Sequence, residues 1–229
     1  MVEKSDCLKQ DKDLSYWKYW ERKQLQMQGM PHFPVLRWWA SAGLAEIEAY
    51  FWEQAKSAGS ILDIGAGDLR LKNKFIKAGF KGAYHTADVG SEYQHDYGNL
   101  DKVSRTYDAV LCIDVLEHLP LAEALRYLHR MESLLNPGGI MILQTANARC
   151  VRHPSSWDMT HLHAFNLPDL WAYARAMGME AEGRRVVFAP KRRSPWGWLH
   201  FLVTSFLVTR FLGLDYADNI VLVARKVGR

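Results

Sequence analysis

Cysteine is scarce. Cys7, Cys112 and Cys150 are the only three in 229 residues, an odd number with no C-x-x-C spacing. A disulfide scaffold is excluded, and reduced thiols in a cytoplasmic protein are the expectation. Long runs of one charge are also missing. The formal net charge is +4, the basic residues are scattered, and Lys191-Arg192-Arg193 is the one basic run of three, so no nucleic acid partner is implied. The opening M-V-E-K-S-D has no apolar leader core, and no internal repeat or low-complexity linker marks a second domain. The longest apolar stretch, Trp196 to Leu214, is broken by Gly197, His200, Ser205 and Arg210, which argues against a membrane span.

What is present in quantity is apolar surface. Hydrophobic residues make up 48% of the chain, enough at this length for one sizeable α/β domain with an embellishment.

The chain is organised around Ser60 to Asp68, read S-I-L-D-I-G-A-G-D. An apolar strand runs into a turn where Gly65 and Gly67 expose backbone N–H groups, and a helix with Leu71, Phe75 and Ile76 among basic residues follows. Glycine permits close approach of a ligand, and a helix start offers free donors and partial positive charge. A dinucleotide fingerprint would require a third glycine at position 70, where this chain has Arg70, so a nicotinamide or flavin cofactor is disfavoured.

Three further segments follow in order. A strand over Gly82 to Val89 carries Asp88 near its end, a strand over Tyr107 to Ile113 leads into D-V-L-E-H-L-P, and N-P-G-G precedes the strand Ile140 to Gln144. The almost continuous apolar run at Tyr107 to Ile113 fits a parallel strand buried on both faces, and alternation of strand and helix implies right-handed crossovers.

Together these motifs resemble the class I S-adenosylmethionine-dependent methyltransferases. The resemblance covers roughly Ser60 to Met179 plus the last strand, and departs from the family at Leu69, where the family commonly has a third glycine. It implies an α/β, Rossmann-like fold: a seven-stranded, mostly parallel sheet with helices on both faces and an antiparallel final strand. It also implies S-adenosyl-L-methionine as cofactor. Asp63, Gly65, Ala66 and Gly67 would serve its methionine end, and Asp88 with Val89 the ribose. Asp96 and Tyr97 would serve the adenine, and Ile113 and Asp114 would flank the cofactor.

Residues 1–58 are expected to form a helical lid, with helices over Leu14 to Gln28 and Val35 to Lys56, and residues 59–229 the methyltransferase domain. Aromatics of the lid have a second reading as plain core packing. The pair Glu117-His118 reads mainly as a cap that orients a strand-to-helix turn. The stretch D-M-T-H-L-H-A-F resembles a D-x-T-H pattern in methyltransferases acting on glycans, quinones and other small molecules.

A hydroxyl acceptor needs a base, and imidazole titrates in the working range. His161 is the expected base, with His163 and Asp158 as alternatives or partners. In an extended segment His161 and His163 point the same way. A metal at these histidines, with Asp158 or Glu117, lacks supporting ligand spacing, and none is expected.

Residues 191–217 interrupt the last two strands as an apolar helical insertion. It reads as a cap over the pocket, a homodimer interface, or a helix lying in a membrane surface through 196–214. The activity implied is methyl transfer to oxygen or nitrogen of a small-molecule or glycan-type acceptor. A catalytically silent cofactor-binding scaffold and a peripheral membrane enzyme acting on a lipid-linked acceptor are the competing readings.

Overall fold

Alternation along the apolar strands divides their side chains between two cores, and this decides where the helices go. The computed structural model describes Leu25 and residues 35–37, 40–41, 44–151, 158–187 and 194–228. Strand β1 is Val35–Arg37, and a short antiparallel ladder, β2 (Ala40–Ser41) with β3 (Leu44–Ala45), precedes helix α1 (Glu46–Ala55). The alternating core is β4 (Ser60–Ile64), α2 (Arg70–Lys77), β5 (Ala83–Ala87), β6 (Tyr107–Ile113), α3 (Leu121–Ser133) and β7 (Leu135–Ala146). Then come α4 (Leu167–Ala176), β8 (Met179–Val187), α5 (Pro195–Leu207) and β9 (Asn219–Lys226).

The main sheet has seven strands in the order β1-β8-β9-β7-β6-β4-β5. Every pairing is parallel except those of β9 with β7 and β8, so the final strand runs antiparallel as expected. On one face Leu62, Val110, Cys112, Met141 and Leu143 pack against α3 and α4. On the other, Ile61, Ala109, Leu111, Ile140 and Ile142 pack against α1 and Phe75 of α2. Helices therefore cover both faces, and central strands buried on both sides explain their near-continuous apolar sequence.

The N-terminal segment corrects the expectation of a helix over Val35 to Lys56. Val35–Arg37 instead pairs with Arg185–Val187 at the edge of β8, completing the seventh strand. Covering that edge satisfies backbone groups that a helix would leave open, and the sheet context overrides the helical spacing. The helix starts at Glu46, where the Ala45 amide donates to Glu48 Oε2 at 2.9 Å. Glu48 thus supplies from inside the helix the N3 half of a capping box, while alanine at the N-cap offers no side-chain acceptor. Its residues Ile47 and Phe51 join the same core as β4 and β6. The helix expected over Leu14 to Gln28 lies outside the described residues except Leu25, which is helical.

The P-G-G turn is not a bare stop after α3. β7 starts at Leu135, opposite Tyr107, and the register shifts before Ala109 meets Ile140. After β8 the chain forms α5 and a π-helical turn, Val208–Leu212, then enters β9. Trp198 and Phe201 dock α5 on Val187 and Ala217.

Candidate active site

The carboxyl ends of β4, β6 and β7 open on one cleft of about 220 Å³, lined among others by Asp63, Gly65, Ala66, Gly67, Ile113 and Asp114. This is where an open α/β sheet holds a ligand. Gly65 and Gly67 both have positive φ, 70° and 49°. A Cβ on Gly65 would lie 2.2 Å from Val115 Cγ2, so the turn presses on the residue after Asp114. Leu69, in the place of the family's third glycine, adopts φ 61°. The turn therefore keeps a glycine-like path with leucine in it.

Asp88 braces this turn. Its Oδ2 accepts from the Gly67 amide at 2.8 Å, and its Oδ1 from the Gly90 amide at 2.7 Å. Asp96 accepts from the Thr86 amide at 2.8 Å and stands 3.8 Å from Lys72 Nζ. Burial works to raise its carboxyl, but the Thr86 hydrogen bonds and Lys72 outweigh it and hold the group below the usual range. Tyr97 bridges to Ala87 and its hydroxyl accepts from Tyr107, while Val89 is exposed. Asp88, Val89, Asp96 and Tyr97 thus run along the end of β5, beyond the residues that line the cleft.

The cleft is acidic. Glu48, Asp63, Asp68 and Asp114 line it with the one guanidinium of Arg70. Glu48 is neutralised by Lys74, whose Nζ donates to both its oxygens at 2.7 Å. Burial pushes Asp63 up to about 7, against the hydrogen bond it accepts from the Tyr84 hydroxyl at 2.9 Å. Asp114 has φ 53° and takes Gln144 Nε2 on both oxygens, at 2.8 and 2.7 Å, with Asn219 Nδ2 at 3.2 Å. Its outer edge meets solvent, yet the concave wall around it depletes water, and this desolvation raises its carboxyl.

Next to Asp114, the short turn Leu116–His118 carries a second group. Glu117 is 1% exposed, accepts from the Thr145 hydroxyl at 2.8 Å, and is pushed up to about 7 by burial and by Asp114. The loop 158–165 folds onto this turn, with the Leu162 amide donating to the Glu117 carbonyl at 2.8 Å. Within that loop the Thr160 hydroxyl donates to Asp158 Oδ1 at 2.7 Å and lies 2.9 Å from His118 Nδ1. One hydroxyl has one proton, so His118 Nδ1 donates to Thr160 and, in the neutral ring, Nε2 is the free base. The His118 and His161 rings meet edge to face, centroids 4.8 Å apart.

The two motifs D-x-T-H and E-H therefore form one constellation, a carboxylate, a hydroxyl and two imidazoles. The sequence motifs point to His161 as the base and to His118 as a cap. The contact spans 42 residues, and no spacing within either motif signals it. His163 is separate: its ring packs on Phe165 at 4.8 Å, and its buried Nε2 has no hydrogen-bond partner. Burial lowers its pKa. Glu117, His118 and His161 bring ligand atoms within 4.8 Å of one another, the one such metal-competent group among the described residues. His153, Ser156 and Trp157, which precede this loop in the chain, lie outside the described residues.

A family model described as a methyltransferase domain matches residues 35–184. The chain belongs to this methyltransferase family. In fold it resembles a SAM-dependent methyltransferase from Archaeoglobus fulgidus, at 14% identity and TM-score 0.58, over 79% of this chain and 93% of that one. It also resembles the N-methyltransferase NodS from Bradyrhizobium japonicum in complex with S-adenosyl-L-homocysteine, at 13% identity and TM-score 0.52, over 79% and 86%. The plantazolicin methyltransferase BpumL in complex with SAH matches at 13% and 0.53, over 79% and 81%. No curated protein matches the chain.

NodS and BpumL are in complex with S-adenosylhomocysteine, and the cleft of this methyltransferase fits S-adenosylmethionine as donor. An acid-rich wall suits a sulfonium and an ammonium. Gln144, which lines the cleft, keeps a buried Oε1 with no hydrogen-bond partner. A buried acceptor of this kind awaits a donor.

Proposed function

We propose that this methyltransferase methylates a hydroxyl oxygen on a small-molecule or glycan-type acceptor, with His118 as the base. The observation that carries the reading is the chain from Asp158 through Thr160 to His118, which fixes the tautomer with Nε2 free. A carboxylate-oriented imidazole is the arrangement that proton removal from an alcohol requires. His161, against the same ring, shares the proton's environment.

Bound S-adenosylmethionine supplies a methyl group already activated by its positive sulfur. The protein's part is alignment, exclusion of water and removal of one proton. The Ala66 amide and Gln144 would hold the amino-acid end, Asp63 and Asp114 would offset its charge, and the turn is kept in place by the Gly65 amide on the Ala87 carbonyl and the Gly67 amide on Asp88. His118 Nε2 takes the acceptor proton while Asp158 and Thr160 stabilise the resulting imidazolium.

The test begins with calorimetric titration of S-adenosylmethionine and S-adenosylhomocysteine into wild type, Gly65→Val, Asp88→Ala, His118→Ala and His161→Ala. Gly65→Val and Asp88→Ala should weaken both ligands. The histidine variants should bind within about threefold of wild type yet lose roughly 10²–10⁴-fold in turnover on a hydroxylated acceptor found by screening. An amine acceptor, whose lone pair attacks before any proton leaves, would show a much smaller histidine effect and would overturn the oxygen assignment. Loss of cofactor binding in the histidine variants would make the pair part of the cofactor wall. No binding to wild type would sink the enzyme reading, and binding without turnover on any acceptor would favour the silent cofactor-binding scaffold.

A further inference from the structure

The outer face of α5 and the π-helical turn is apolar and uncovered. Trp196 is 79% exposed, Phe206 66% and Phe211 73%, and Leu199, Leu202 and Leu212 accompany them. No residue of either element is buried. The helix is nevertheless held in place. Trp198 and Phe201 pack on Val187 and Ala217, and the Phe201 ring meets Tyr216 at 5.5 Å. At the far end Arg149 donates to the Gly213 carbonyl from Nε at 3.0 Å and Nη2 at 2.6 Å. Arg185 pairs with Asp215 at 3.1 Å, and Cys150 bridges to Asp215 through the backbone. A docked helix with one stripe on the domain thus presents the other to the outside.

Three occupants compete for that face: the acceptor pocket, a second copy and a lipid surface. No residue of α5 or the π turn lines the cleft, which removes the direct reason for a pocket cap. The charge pattern decides between the others. From 188 to 214 the chain carries Lys191, Arg192, Arg193 and Arg210 and no carboxylate. A segment whose only formal charges are positive repels its own copy. Tryptophan, phenylalanine and leucine beside basic residues is the composition of a helix that lies in an anionic interface. Among the described residues no helix is long and apolar enough to cross a membrane, so the contact is at a surface.

We propose that this face docks the methyltransferase on an anionic phospholipid bilayer. The topology sets the consequence. β8 ends at Val187 and β9 begins at Asn219, on the same rim of the sheet where β4 and β6 end. Asn219 itself donates to Asp114 in the cleft, so the docking element and the cleft share one edge of the molecule. The proposal is independent of which residue is the base or which atom is methylated.

The experiment uses the full chain and co-sedimentation with vesicles of phosphatidylcholine alone or mixed with phosphatidylglycerol. Wild type should sediment with the mixed vesicles, less with the neutral ones, and less again in high salt. A Leu199→Glu, Leu202→Glu, Phe206→Glu variant should lose at least about tenfold in partitioning. Its melting temperature and its S-adenosylmethionine affinity should stay at wild-type values, because none of the three packs on the domain. Wild type that ignores anionic vesicles, or a variant that still binds them, would overturn the proposal. So would a dimer in sedimentation velocity that the variant dissociates while vesicles capture neither protein.

Discussion

Leu69 and Asp114 are the two non-glycine residues with positive φ among those described, and both stand beside the cleft. Such a conformation costs an L-residue about 1–2 kcal/mol, and it persists where the surroundings over-determine it. For Asp114 the reason is visible in three hydrogen bonds from Gln144 and Asn219. For Leu69 it is the helix behind: the Leu69 amide donates to the Ala66 carbonyl at 2.9 Å, and its own carbonyl accepts from Asn73 at 3.0 Å. The backbone already follows the path a glycine would take. Leu69→Gly should therefore leave S-adenosylmethionine affinity within about threefold, because the path of the turn is unchanged, and should barely move stability, because the strain removed and the unfolded-chain entropy added, roughly 0.5–1 kcal/mol, largely offset. Leu69→Val should be the worse substitution, since a β-branched side chain tolerates the left-handed region least. Calorimetry and thermal unfolding check both. A tenfold loss of affinity in the glycine variant would mean that the leucine side chain itself shapes the cleft.

At the level of elements, α2 positions the glycine turn, and Phe75 is what fixes α2 to the sheet. Its ring is fully buried, edge-on to Trp52 of α1 at 5.5 Å and to Tyr84 of β5 at 6.0 Å. Phe75→Ala should cost about 3–5 kcal/mol in urea unfolding, and weaken S-adenosylmethionine binding even where the fold survives, because the helix start loses its seat. A variant that unfolds normally but binds as wild type would show that the turn holds itself. Phe75 also illustrates what the sequence makes legible. The strands β4, β6 and β7 and helices α2, α3 and α4 announce themselves because burial on one or both faces writes a period into the residues. β1 does not: Val35–Arg37 is a strand only because β8 has an open edge far along the chain, and its local spacing reads as helix. The site divides the same way. That Gly65, Gly67, Asp63 and Asp114 line one cleft follows from local strand-to-helix geometry, which the sequence shows. The meeting of His118 with Thr160 depends on how a loop folds over a turn, and no periodicity encodes that.

For the molecule as a whole, the unusual feature is net basic charge around an acidic, partly protonated cleft. Asp63 rises from 3.8 to about 7, chiefly by burial, and Glu117 from 4.5 to about 7 by burial and then Asp114. Between their unfolded and folded values the native state holds protons that the unfolded chain has released. Stability from these groups is therefore present in acid and is lost as pH rises from about 4 through 7, at up to about 1.4 kcal/mol per pH unit for each group. Asp63→Asn and Glu117→Gln should each flatten the corresponding part of the stability-versus-pH curve and match or exceed wild type at pH 8. Ligand binding should run the other way. Ionised carboxylates attract a sulfonium, whereas S-adenosylhomocysteine has lost that charge. The ratio of S-adenosylmethionine to S-adenosylhomocysteine affinity should grow by roughly three- to tenfold between pH 6 and pH 8, and Asp63→Asn should remove most of the change. If the ratio stayed constant while each affinity varied, the carboxylates would be sensing the shared amino-acid end rather than the sulfur. The methyl-bearing centre would then lie away from Asp63.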